Sequence, residues 1–318
     1  MFSRMESTDR KVAQQLSTAS DRADRLALEP LHDMFPPQGF FRGSLNSFKE
    51  IWHRRELLSL LVRREIRAKY KDSALGLLWS LVRPLVMLAI YYFVIGQLLG
   101  VARAPGMDYY AIYMYAGLTM WSLFQESVTS GTGSILTNAG IVKKTALPRE
   151  IFPLTSIGAA LFNFFVQLVI LIVAVALTCG FNFSINFLHF PLAVIVILVW
   201  ATALVFFLSA LNVYLRDVQY LTEVALMIGF YLSPIIYPWS IALPWFSSHP
   251  VLQEIYLANP VTLAVMGTQR VMWNTSNANP WPSYLAYRLL IALAVGLIAL
   301  ILAQRYFSRM QRNFAQEI

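Results

Sequence analysis

The sequence predicts an all-α integral membrane protein of six transmembrane helices, with an N-terminal amphipathic interface helix and short re-entrant helices between spans five and six. Three observations predict it. Of the 318 residues, 57% are apolar and 13% charged, where a soluble domain carries about 25% charged residues; mean hydropathy is +0.55. The charges crowd at one end: residues 1–72 hold 14 of the 25 Lys/Arg and 10 of the 17 Asp/Glu, and residues 73–304 hold 14 charged residues in all. From Ile151 to Leu215, 65 residues pass without Asp, Glu, Lys or Arg. That is too long for one core helix of about 10–14 residues and suits a membrane hairpin of two spans of roughly 20 residues each.

The elements follow in order. Residues 1–47 are polar and of mixed charge, with no apolar h-region, so they read as a mobile N-terminal extension and not as a secretory signal. In residues 48–71, Ile51, Trp52, Leu57, Leu58, Leu61, Val62 and Ile66 recur near helical spacing among Arg54, Arg55, Arg63, Arg64, Arg67, Lys69 and Lys71. An amphipathic helix with a basic face and a Trp lies in the membrane interface. The six-span domain occupies 72–310, with spans near Leu77–Leu99, from Tyr110 into the Ser/Thr/Gly-rich stretch Ser127–Ser134, Leu154–Thr178, Phe190–Leu211, Val218–Tyr237 and Leu285–Phe307. Residues 311–318 read as a cytoplasmic tail.

Lys and Arg set the orientation. One side holds the 48–71 helix, Lys143, Lys144, Arg149, Arg216, Arg309 and Arg312; the other holds Arg103, Arg270 and, at a span edge, Arg288. Both termini are expected in the cytoplasm, with the protein multi-pass in the cytoplasmic (inner) membrane. Between Pro238 and Tyr284 six prolines interrupt two apolar pieces, Val251–Leu257 and Val261–Val271, neither long enough to span. They fit short helices dipping in from the outer face, shielded by protein, or a simple outer loop.

Several chemistries are excluded. The chain has no G-x-x-x-x-G-K-[ST], H-E-x-x-H or G-x-S-x-G pattern. Cys179 is the sole cysteine and the four His are scattered, so no metal site and no catalytic residue is expected. The predicted outer side offers only Asp108 and Glu254 as carboxylates, too few for a membrane glycosyltransferase or hydrolase. The net charge of +8 lies beside apolar spans and reflects membrane topology, not nucleic-acid binding.

Three groups of residues remain as candidate sites. Arg83 and Glu126 both fall about 7–12 Å inside the cytoplasmic edge; an ion pair tying spans one and two is one reading, and contact of Arg83 with a substrate phosphate is the other. Tyr91, Tyr92, Tyr109, Tyr110, Tyr113 and Trp121, with Phe93 and Tyr115 beside them, gather at the outer ends of spans one and two. They read as an interfacial belt or as a channel surface that stacks on sugar rings. The 131–150 loop carries Lys143, Lys144 and Arg149 beside Ile141 and Leu147. These cations either set topology alone or dock a partner.

The order of short motifs resembles a known family. Glu56-Leu57-Leu58 through Arg67-Ala68-Lys69-Tyr70-Lys71 is followed by Leu75-Gly76-Leu77-Leu78-Trp79 with Pro84. Asn138-Ala139-Gly140-Ile141-Val142-Lys143-Lys144 then leads to Leu147-Pro148-Arg149-Glu150. Leu215-Arg216-Asp217-Val218, Leu232-Ser233-Pro234-Ile235-Ile236-Tyr237 and Asn259-Pro260 with Arg270 complete the series. Across about 48–310 the chain resembles the membrane (permease) subunits of type-2 ABC transporters that export polysaccharides, O-antigen and teichoic-acid-type polymers.

The resemblance implies a homodimer paired with two copies of a separate ATP-binding subunit, which would carry ATP and magnesium. It implies outward passage of a glycan on a polyprenyl carrier, an interface role for the 48–71 helix, and ATPase coupling through Asn138, Ile141, Lys143, Lys144, Leu147, Pro148, Arg149 and Glu150. Drug or lipid export within the same class is the alternative, and a membrane-embedded glycosyltransferase the more distant one; the Tyr-rich outer ends favour a polymer.

Overall fold

A computed structural model of the chain describes residues 49, 52–71, 79–104, 106–144, 147–181, 185–273 and 281–318. The expected 1–47 extension and the first span before Trp79 lie outside them. Among the described residues every regular element is helical.

The first helix, α1 (Arg55–Tyr70), has no buried residue and lies along a later helix, α5 (Ile151–Leu177). Gly158 makes that contact close, since a Cβ there would stand 2.7 Å from Val62 Cγ2. Next comes α2 (Trp79–Tyr91), which contains Pro84 and runs on as a π-helical stretch, Tyr92–Leu98. Gly100, at φ 77°, turns the chain back.

The central helix is α3 (Tyr110–Thr137), of 28 residues and about 42 Å long. The Ser/Thr/Gly-rich stretch was expected to fade out of the span; instead it stays helical to Thr137. The reason is packing. Ser127 and Thr132 are fully buried, and a Cβ on Gly131 would come within 2.5 Å of Val205 on α6 (His189–Tyr214). Small residues let two long helices approach closely in a membrane bundle. The short α4 (Ala139–Lys144) links α3 to α5.

After α6, α7 (Val218–Leu232) spans only 15 residues, about 22 Å. The expected fifth span ran on to Tyr237, but the helix stops at Leu232. Pro234 disfavours helical backbone at the residue before it, and Ser233 is extended at ψ 146°. Three helices fill the proline-rich stretch: α8 (Trp239–Ser247), α9 (Pro250–Leu257) and α10 (Pro260–Met272). The last two coincide with the two apolar pieces. Eleven of the 13 residues of α10 are buried, so it is no exposed loop but a core helix against α3, α6 and α11 (Leu285–Met310). A 3-10 turn (Gln311–Asn313) and α12 (Phe314–Glu317) follow.

Among the described residues, four helical stretches are long and apolar enough to cross a membrane: Leu81–Leu98, Ile151–Leu177, Asn186–Tyr214 and Leu285–Asn313. The two other expected spans differ for identifiable reasons. Nineteen of the residues of α3 are buried, so neighbouring helices, not its own hydropathy, cover its polar side chains; α7 is cut short by its proline.

Candidate functional site

The break after α7 forms one centre. Ending a helix inside a bundle strands backbone carbonyls, and each buried unpaired group costs about 1–3 kcal/mol. Here Ser233 and Ile235 are fully buried, and donors from two other helices meet the carbonyls. Tyr113 Oη stands 2.8 Å from the Pro234 oxygen and 3.0 Å from that of Tyr237, sharing one hydrogen between them. Tyr110 Oη donates to the Ile236 oxygen. Gln269 Nε2, from α10, donates to Pro234 O at 2.9 Å and lies 3.4 Å from Tyr113 O. Gly117 leaves room for this amide: a Cβ there would sit 2.9 Å from Gln269 Nε2. Tyr237 and Tyr256 join hydroxyls at 3.1 Å.

This arrangement decides where the candidate channel aromatics lie. Tyr110, Tyr113 and Trp121 are buried at 1–3% exposure, and Tyr109 is 50% exposed; Tyr91 and Tyr92 are half-buried. The rings form a row: Tyr92 to Tyr110 at 6.4 Å, Tyr110 stacked on Tyr113 at 6.1 Å, and Tyr113 edge-on to Trp273 at 4.9 Å. Tyr91 and Trp121 each pack on Phe230 of α7 at 5.7 Å. In this conformation the buried members support the break, and Tyr109 alone of the six presents an open ring.

A second cluster ties α1 to the bundle. Glu126 forms its ion pair with Lys69 of α1, not with Arg83, and accepts from Asn163 Nδ2 at 2.6 Å. Tyr70 Oη completes the chain by donating to Asn163 Oδ1 at 2.6 Å. Arg83 is exposed on α2, next to buried Pro84. Ser156 Oγ donates to Glu65 at 3.3 Å, and burial raises the Glu65 carboxyl above its ordinary value.

The third centre is the Asn138–Glu150 loop. Asn138 Nδ2 closes α3 by donating to Ser134 O at 2.9 Å. Lys143 and Lys144 are exposed; Ile141, Leu147, Pro148 and Arg149 are half-buried; Glu150 is buried. Glu150 is gripped from α11 and the turn after it, with Ser308 Oγ at 3.4 Å and Gln311 Nε2 at 3.3 Å. The Arg149 guanidinium lies 5.8 Å over the Phe314 ring. Burial pulls its pKa down, with the Glu150 charge opposing. The outward-facing chemistry of this loop is thus its two lysines over an apolar base.

Among the described residues no group of three or more His, Cys, Asp or Glu comes together. Sequence reasoning missed Gln269, Asn163, Lys69 and Phe314. Three carried a signal: Gln269 is a polar residue in an apolar helical piece, and Asn163 is a neutral amide inside the charge-free run. Phe314 stands as an isolated aromatic in a polar tail, seven residues after Phe307.

The chain is 26% identical over 271 residues to the O-antigen export system permease protein RfbA of Myxococcus xanthus, covering 85% of this chain and 98% of that one. It is 27% identical over 264 residues to the protein of the same name from Klebsiella pneumoniae, covering 82% and 94%. The model of the ABC-2 type transporter family matches residues 56–273, from α1 through the helix break to the end of α10. The chain belongs to the ABC-2 type transporter family.

Proposed function

We propose that this chain is the transmembrane subunit of an ATP-driven exporter that moves a lipid-linked polysaccharide outward across the cytoplasmic membrane. The observation that carries the reading is near-full-length similarity to export permeases named for O-antigen in two organisms. In this reading α3 and α7 are spans two and five, both termini are cytoplasmic, and α8–α10 enter from the outer side. Two copies of the chain pair with two copies of an ATP-binding subunit, which supplies ATP and magnesium and docks on the Asn138–Glu150 loop.

Exposed ionisable side chains favour a polar path along α2 and α7. Glu223 lies about 8 Å into α7 and is exposed, as is Arg83 on α2. On the same helix Tyr220, Met227 and Tyr231 are 53–70% exposed. Ionisable groups within a span face a bundle interior or a water-filled cavity, not lipid. These two helices therefore belong at a hydrated conduit or against a second copy.

Disrupting the chain in its host tests the reading. Export predicts loss of the surface glycan, with its lipid-linked form accumulating inside and accessible only after the membrane is opened. An unchanged surface glycan with altered drug or lipid efflux would assign the chain to the other exporter type. Reporter fusions after Gly180 and Asn277 should read outside, and those after Gly140 and Ile318 inside; a cytoplasmic signal after Asn277 would break the topology.

A further inference from the structure

The eight residues that close the sequence are not a passive tail. Phe314 is fully buried in a cluster with Val142 of α4, Phe152 of α5 and Phe307 of α11. Its ring meets Phe307 edge-on at 5.5 Å and Tyr214 of α6 at 6.2 Å. Tyr214 Oη in turn donates to Met310 O at 2.9 Å. Through Arg149 and Gln311 the same segment holds the loop between α4 and α5. A single side chain thus touches the loop, the fourth span and the sixth.

Beside this anchor lies a surface pocket of about 540 Å³ lined by Leu136, Ala139, Gly140, Lys143, Arg216 and Ile318. Its walls come from three places: the end of α3 with α4, the turn between α6 and α7, and the last residue of the sequence. A volume of this size accommodates a few inserted side chains. Its floor is apolar and open, since nothing lies within 4 Å of a Cβ placed on Gly140. Its two charged side chains are both cations, with Lys144 exposed nearby. The acidic side chains nearby stand outside its lining: Glu150 is buried under the loop, and Asp217 and Glu317 are exposed.

We propose that residues 311–318 form the third wall of the ATPase-docking surface, and that this pocket receives an acidic, apolar-tipped segment of the ATP-binding subunit. This rests on the reading of the Asn138–Glu150 loop as the coupling contact, and it adds the C-terminal wall and the chemistry of the partner. It also gives the push a route. A load on α4 presses on the Phe314 cluster, and Phe314 bears directly on α11 through Phe307 and on α6 through Tyr214. Closely packed interiors of this kind transmit displacement because they do not compress.

The test is a charge-sign experiment at Ile318, in full-length chain held in nanodiscs, against the ATP-binding subunit recovered with the wild-type chain and then purified alone. Ile318→Asp and Ile318→Arg remove the same apolar side chain, so a purely structural loss affects both alike. Ile318→Asp should weaken docking about tenfold at roughly 50 mM salt, converging on wild type near 500 mM as screening shortens. Ile318→Arg should stay within about twofold of wild type. Equal behaviour of the two variants, whether both intact or both lost, overturns the electrostatic wall. Lys143→Glu separates the levels. If it weakens docking and neither Ile318 variant does, the C-terminal wall alone falls. If no ATP-binding subunit is recovered, or Lys143→Glu docks normally, the coupling-loop reading falls with it.

Discussion

The two ends of α3 are built on opposite plans. At the Tyr110 end the polar atoms face inward: two tyrosine hydroxyls and the Gln269 amide meet the carbonyls of a broken helix in a fully buried setting. At the Asn138 end the charges face outward, with Lys143 and Lys144 exposed above an aromatic cluster. The first end holds an irregular backbone where no water can satisfy it. The second leaves charges free for something outside the chain. In this multi-pass membrane protein, damage at the two ends should therefore show up in different measurements.

The largest effect is expected at the outward-facing end. Reversing both charges, Lys143→Glu with Lys144→Glu, should abolish export and co-purification of the ATP-binding subunit. Exposed substitutions shift stability by only about 0.5 kcal/mol, so the thermal midpoint in detergent should hold. A chain that exports normally with both lysines reversed would remove the contrast, because the cations would then serve topology alone.

The inward-facing end should fail through stability. Tyr113→Phe leaves Tyr237 O short of its donor, and Gln269→Leu takes one of two donors from Pro234 O. Each should cost about 1–3 kcal/mol. The pair should cost more than the sum, because only the double variant strips Pro234 O of both partners, and residues sharing one acceptor are not additive. Docking of the ATP-binding subunit should be unchanged in the variants that fold. Strict additivity in a thermal-unfolding cycle would mean that the two donors do not share the carbonyl.

Tyr109 sharpens the comparison, because it is the open ring beside the buried ones. It sits at φ 54°, a left-handed conformation that favours glycine. Tyr109→Gly therefore removes the ring while relaxing the backbone. If the ring stacks on a passing sugar, export should slow roughly threefold, as loss of about 0.5–1 kcal/mol of aromatic contact would give. Stability should be equal or higher. Full-rate export would leave no sugar contact for this ring.

Much of this anatomy was legible in the sequence, and the rest was hidden for physical reasons. Long apolar runs announce helices through composition, so α2, α5, α6 and α11 were visible, and Pro250 and Pro260 marked the starts of α9 and α10. The extent of α3 was not legible. A Ser/Thr/Gly stretch looks like a loop until Val205 of another helix is known to fill the space above Gly131. Partners of buried polar groups were likewise hidden. Glu126 and Arg83 share a depth, but which cation reaches the carboxylate depends on rotation about each helix axis, and α1 brings Lys69 there first. The aromatic cluster was legible as a cluster and not as a support, since nothing local to Tyr113 records that Pro234, 121 residues away, will present it a carbonyl.

Two carboxylates carry the smallest effect and give the comparison a pH axis. Glu65 on α1 is held above its ordinary pKa mainly by burial, with the Ser156 hydrogen bond only partly offsetting it. Glu254 on α9 is held below its ordinary value mainly by hydrogen bonds from Arg288, whose two nitrogens reach its two oxygens at 2.7 and 2.8 Å. The signs are opposite. The folded chain binds the Glu65 proton more tightly than the unfolded chain, so that contribution is present in acid and lost as pH rises through the folded pKa. It binds the Glu254 proton less tightly, so that contribution is present above the ordinary glutamate range near 4.3 and lost as pH falls through the folded pKa. Hydrogen exchange, corrected for its intrinsic rate, should therefore show α1 tightening as pH falls from about 7 towards 4, and α9 loosening only as pH falls below about 4. Glu65→Gln and Glu254→Gln should each flatten only their own helix. The Glu254 pair is exposed, so about 0.5 M salt should erase its pH dependence while leaving that of Glu65. Acid loosening of α1 would mean that the Lys69 and Arg64 charges, not burial, govern Glu65.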